Sequence, residues 1–229
     1  TYVSHEGEAR PNYPRAIELL QNSFESPESI RDDDARKRWQ DVITHRVLKD
    51  IYVKWSDSRA VTDSQVDDLR TQANFHFQRA FAGLPRPDLS SFRVVRHVVE
   101  NQSAYADFLW KRFDDLVGAR HSFELAIATL EQNSKVWWPT ANQVYVFYGK
   151  FLWDTSRDKN LEKIVEVRRK ALVNAEAHAD RYRSQNRWAL WKALHSLFLK
   201  EFSENKSELG IVHLDETVAL LETHLNLRP

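Results

Sequence analysis

Apolar residues return every three or four positions along nearly the whole chain, and that period belongs to α-helices. Residues 15–24 carry Ala16, Ile17, Leu19, Leu20 and Phe24, and residues 33–57 carry Trp39, Ile43, Val47, Ile51 and Trp55. Thr62 and Asp63 open a third helix, which Gly83 and Pro85 close. Its early carboxylates Asp67 and Asp68 suit the positive end of the helix dipole. One or two helices over 89–117 come next, then one over 121–134, with Gly118 as the break between them. Pro139 precedes a helix from about 140, Asp158 starts another reaching to about 182, and 185–203 follows. The stretch SENKSELG reads as a loop holding Gly210 before a last helix over 212–227. KVWWPT and VYVFY have strand-like composition, but their flanks carry the helical period. The expectation is an all-α chain of about nine to eleven helices forming one domain over 1–229.

Within this period one stripe recurs. QANFHFQRAFAGLPRPD places Ala73, Phe77 and Ala80 on one helix face and then stops at Pro85. The closing helix repeats the spacing with Thr217, Leu221, His224 and Pro229, and YPRAIELLQNSF with Ala16, Leu20 and Ser23. Looser copies are Ala126, Leu130 and Asn133, and Ile164, Arg168 and Ala171. Helices with an aromatic opening precede several of these: YVFYGKFL with Tyr145, Tyr148, Gly149 and Leu152, WKALHSLF with Trp191, Leu194 and Phe198, and YADFLWKR with Tyr105 and Phe108. Small residues let one helix approach another closely, and an aromatic ring fills the remaining groove. A single pair of this kind cannot bury its own apolar face, so pairs stack.

On these segments the chain resembles the tetratricopeptide-repeat superfamily, including the half-a-tetratricopeptide repeats. QANFHFQRAFAGLP, YPRAIELLQNSF and HLDETVALLETHLNLRP are similar to the second helix of that repeat, and YVFYGKFL to the first, glycine included. The copies start at 16, 73, 126, 164 and 217, mostly further apart than the family's repeat of about 34 residues. His224 and Arg168 stand where the family has a small residue and an aromatic. The resemblance implies antiparallel helix pairs stacked as a short right-handed superhelix.

The search for chemistry returns little. With no cysteine, disulfides, thiolate metal sites and thiol nucleophiles are excluded. There is no G-x-S-x-G elbow, phosphate loop, H-E-x-x-H or EF-hand loop, and the nine histidines are dispersed. Two acidic clusters stand out, Asp32–Asp34 at a helix start and Asp114, Asp115 and Glu124 in RFDDLVGARHSFE. Paired aspartates beside aromatic walls suit magnesium and an isoprenoid diphosphate, as in terpene cyclases, but no second metal motif accompanies them. Helix capping and solvation account for both clusters without a metal. Arg168, Arg169, Lys170, Arg181, Arg183, Arg187 and Lys192 interleave with Tyr182, Trp188 and Trp191, which suits RNA. A solvated helix face is the alternative, and the formal net charge of zero favours no nucleic-acid partner overall.

If the repeat reading holds, the first helix of each pair lines a concave surface. Gln143, Val146, Lys150 and Trp153 share one face of the helix from 140, Ser103 and Trp110 extend it earlier, and Lys192 and Ser196 later. Indole and ammonium groups on a groove suit an extended protein segment with an acidic group or a free carboxylate. The expectation is therefore a non-catalytic interaction module, a scaffold or adaptor without cofactor or metal. Trp110, Gln143, Lys150, Trp153 and Lys192 would bind a protein or peptide partner. A magnesium-dependent isoprenoid enzyme and an RNA-binding helical array are the alternatives. No apolar run approaches the roughly 18 residues that span a bilayer, so no membrane partner is expected. The setting is read as intracellular, cytoplasmic or nuclear. Opening at Thr1 and lacking methionine, the chain reads as a processed product or fragment.

Overall fold

The computed structural model describes residues 12–25, 34–58, 61–82, 92–133, 138–177, 183–204 and 206–225. These form eight helices and no strand. They are α1 (Tyr13–Glu25), α2 (Asp34–Ser56), α3 (Asp63–Ala82), α4 (Phe92–Phe113), α5 (Leu116–Glu131), α6 (Trp138–Ala177), α7 (Arg183–Ser203) and α8 (Ser207–Leu225). The chain divides into two compact units, Thr1–Asp88 and Leu89–Pro229. No helix of the described residues is long and apolar enough to cross a membrane.

In the first unit, α2 and α3 pack against each other. Thr62 opens α3 with half of a capping box: its hydroxyl and its backbone N–H each donate to Gln65 Oε1 at 3.1 Å. Ala73 and Ala80 are fully buried and Phe77 is 3% exposed, so the small-aromatic-small stripe faces the core with Val42 and Leu48 of α2. Sequence reasoning missed two buried polar groups here. The Lys49 ammonium lies 4.6 Å from the Phe77 ring centroid and donates to Asp50 Oδ1 at 2.7 Å. His45 of α2 and His76 of α3 meet Nδ1 to Nδ1 at 2.7 Å, inside an aromatic run that includes Tyr52, stacked 5.3 Å from His76. His45 Nε2 sits 3.4 Å from Asp41 Oδ1, which favours its proton on that nitrogen. His45 Nδ1 then accepts from the Nδ1–H of His76.

In the second unit the chain forms three successive helical hairpins. The first is α4 with α5. The expected break at Gly118 lies earlier, at Asp114 and Asp115. Asp114 adopts φ 53°, a left-handed conformation that aspartate tolerates, and the Asp115 carboxylate caps α5 by accepting from Gly118 N–H at 2.8 Å. Gly118 is thus inside the first turn, where a Cβ would come within 2.2 Å of Asp115 Oδ2.

The second hairpin is α6 itself. Ser156 and Asn160 leave the helical conformation, and the Asn160 amide donates to Ser156 O at 3.1 Å. The arms on either side fold against each other, so that a Cβ at Gly149 would meet Arg168 Nε at 2.8 Å. The arms match the helices expected from 140 and from 158, so eight continuous elements stand where nine to eleven were expected. VYVFY lies in the first arm and is helical.

The third hairpin is α7 with α8. The expected loop around Gly210 is shorter than read, because α8 already starts at Ser207. Gly210 is buried in its first turns, with its Cβ position 3.4 Å from the Phe198 ring. A helix glycine here marks close approach of α8 to α7 rather than a turn.

Polar contacts join successive hairpins. Thr140 of the α6 first arm donates to Glu100 of α4 at 3.0 Å, and Asn186 of α7 donates to Asn142 of the first arm at 2.9 Å. On the other side, Lys170 of the second arm pairs with Glu131 of α5 at 2.6 Å, and Arg169 pairs with Glu216 of α8. α7 also reaches the second arm, where Asn186 donates to Ala171 O at 3.3 Å and Arg187 to Glu176 at 2.6 Å.

Two outcomes follow. Ala80→Leu should cost about 1–3 kcal/mol in urea unfolding, because the site is already filled. The first unit should also lose stability in mild acid. Burial, and secondarily the charge on His45, hold His76 down to about 4 from 6.5. Burial likewise lowers His45, with Asp41 opposing and Arg79 adding to the shift. A lowered imidazole leaves the unfolded chain binding the proton first. The pair's stabilisation is complete above 6.5 and is lost as the pH falls through the range from 6.5 to 4. The urea midpoint at pH 4.5 should drop by the equivalent of about 1–2 kcal/mol relative to pH 7, less so in His76→Phe.

Candidate functional site

The first arm of α6 buries Val144, Tyr148, Phe151 and Leu152 and leaves a narrow outward stripe. Gln143 and Lys150 are exposed on it, and Val146 and Trp153 are half-buried beside it. These residues share one outward face, as the 3.6-residue period requires. Trp110 of α4 adjoins it. Its ring stands edge-on to Phe151 at 5.5 Å and 82°, with the ammonium groups of Lys150 and Lys111 each 5.5 Å from its centroid. Lys150 also donates to Asp154 one turn on, so its charge is held between a carboxylate and an indole face. The Arg157 guanidinium lies 5.3 Å from the Trp153 ring centroid.

The other candidates sit differently. Lys192 is exposed on α7 with its ammonium 5.9 Å from the Trp188 ring centroid. Ser103 is buried in α4, at 3% exposure, and its hydroxyl has no hydrogen-bond partner among the described residues. That removes it from the surface, because a serine near the middle of α4 points toward the hairpin interior. Ser196 is half-buried. Trp110, Lys150 and Trp153 therefore form the compact part of the candidate face, with Gln143 and Val146 along the same stripe.

The acidic clusters have structural occupations. Asp115 caps α5, and Glu124 accepts from the Tyr148 hydroxyl at 2.9 Å. Burial and this carboxylate both push the Tyr148 hydroxyl well above the ordinary tyrosine range. Asp32 and Asp33 lie outside the described residues, as does the side chain of Asp34. No three histidines, aspartates or glutamates among the described residues gather as a metal-ligand set.

The basic segment is also largely engaged within the fold. Arg187 donates to Glu176 at 2.6 Å, Lys170 to Glu131 and Glu166, and Arg169 to Glu216. Arg168 lies against Gly149, and burial, opposed by Asp154, lowers its guanidinium to about 10. These four cations, read in sequence as a phosphate-facing run, serve helix-to-helix pairing. Arg181 and Tyr182 lie outside the described residues.

Comparisons with protein-family models, curated proteins and solved structures found no match. The geometry is an aromatic-cationic ridge carried by consecutive helical hairpins. Asp115→Ala removes the α5 cap and should cost about 1 kcal/mol of stability. Thermal unfolding checks this.

Proposed function

We propose that this chain is a non-catalytic protein-interaction module of the tetratricopeptide-like helical-repeat kind. Its hairpins stack as a short right-handed superhelix, and a partner segment lies across α4, the first arm of α6 and α7. The observation that carries this reading is the adjacency of Trp110 and Lys150. Residues from two consecutive hairpins meet on one outward face, which continues through Gln143 and Trp153. A stacked array presents first helices side by side and reads an extended ligand across them. Indole rings supply apolar area at low entropic cost, and the ammonium groups select an acidic side chain or a terminal carboxylate. Arg169, Lys170 and Arg187 are tied between helices by carboxylates of the chain itself, which weakens the RNA reading. Occupation of Asp115 as a cap weakens the magnesium reading in the same way.

The test is selection from a random peptide display library with the full chain as bait, followed by titration of the enriched peptides. Lys150→Glu with Gln143→Ala should weaken binding about tenfold or more, equivalent to roughly 1.4 kcal/mol, without moving the melting temperature. Trp153→Ala should weaken it further but also cost stability, since that ring packs partly on the core. Peptides that bind Lys150→Glu unchanged, or tight binding to single-stranded RNA with a steep salt dependence instead, would refute the proposal.

A further inference from the structure

The last hairpin carries an apolar edge on the side opposite to α6. On α7 the inward face is Leu190, Leu194 and Leu197, and Asn186 faces the first arm of α6 through its bond to Asn142. Gly210 and His213 of α8 dock at Phe198 and Glu201. The remaining flank of α7 bears a ladder of rings. Trp188 stacks on Trp191 at 4.6 Å and 12°, and Trp191 on His195 at 5.4 Å and 10°. Phe202 continues the spacing at 64% exposure, and Trp188 is 47% exposed. On α8, Glu216 turns toward Arg169 of α6, so the opposite flank carries Ile211 and Val218, at 55% and 46% exposure. Both helices thus turn an apolar flank the same way. This flank is where a further hairpin would pack on the last one.

We propose that this edge is the interface of a homodimer, with α7 of one copy against α8 of the other. Charge chooses the occupant. The α8 rim bears Asp215 and Glu222, and α8 contains no lysine or arginine. The α7 rim bears the exposed Lys192. An edge with Lys192 on one helix and Asp215 and Glu222 on its neighbour complements itself under a two-fold axis parallel to the helices, which lays each α7 on the partner's α8. The same axis preserves height along the helices. The register set by Gly210 near Phe198 and His213 on Glu201 brings Lys192 level with the stretch between Asp215 and Glu222 of the second copy. Trp110 and Lys150 lie outside this surface and Lys192 within it, so Lys150→Glu tests the ridge, Val218→Asp tests the dimer, and either proposal can fail without the other.

The experiment is sedimentation equilibrium of the full chain over about 1–100 µM, the range where a standard interface holds or dissociates. The expected species has twice the 27.0 kDa chain mass. Val218→Asp should give a monomer with unchanged circular dichroism. Lys192→Glu should weaken the dimer about tenfold or more, and adding Glu222→Lys should restore it. A monomer at every concentration would overturn the proposal and assign the edge to some other occupant. So would a dimer indifferent to both Val218→Asp and Lys192→Glu. Should Val218→Asp unfold, the charge exchange between 192 and 222 decides alone.

Discussion

Burial of one aromatic cluster holds the second unit together. Phe123 of α5 lies 5.5 Å from both Tyr148 and Phe151 of the α6 first arm, and all three rings are at most 1% exposed. Trp110 of α4 stands edge-on against Phe151 from the other side. Three helices therefore meet on four rings, each removing a large apolar area from water. The outward ridge depends on this cluster. Trp110 is aimed by Phe151, and Lys150 precedes Phe151 by one residue, so the position of the buried ring fixes the spacing of the exposed groups. Among the three buried rings the one polar atom is the Tyr148 hydroxyl, which donates to Glu124.

How much of this was readable in the sequence depended on which force decided each feature. Helix placement was readable, because apolar periodicity reflects burial directly: the stripe of Ala73, Phe77 and Ala80 faces the core as its spacing implies. The outward face of Gln143, Val146, Lys150 and Trp153 was readable for the same reason. Breaks were read less well. Gly118 and Gly210 look like interruptions, but each lies within a helix at a site of close approach, and the actual break at Asp114 uses a left-handed aspartate. The reversal in α6 has neither glycine nor proline between 156 and 160, only a side-chain amide bonded to the backbone.

Long-range pairing of polar groups was not readable at all. Arg169 and Glu216, Lys170 and Glu131, Asn142 and Asn186, and His45 and His76 lie 31 to 47 positions apart. Nothing local marks either member of each pair. The run of cations from 168 to 192 therefore resembled a binding surface in one dimension, yet four of its members stand between helices in three. Exposed ion pairs of this kind add little stability individually. Their effect is on register, since displacing α8 by one turn would set Arg169 opposite Val212 or Leu220 in place of Glu216.

Gly149 and Arg168 face each other across the α6 hairpin with no room for a Cβ between them. The two positions are therefore not independent in what they tolerate. A long, planar side chain at 168 requires the smallest residue at 149, whereas a small residue at 168 would leave space that alanine or serine at 149 could fill. Drift at either position is gated by its partner 19 residues away. Chains descended from this one should change the two together or not at all, and such paired changes would trace the hairpin even where the rest of the sequence has diverged.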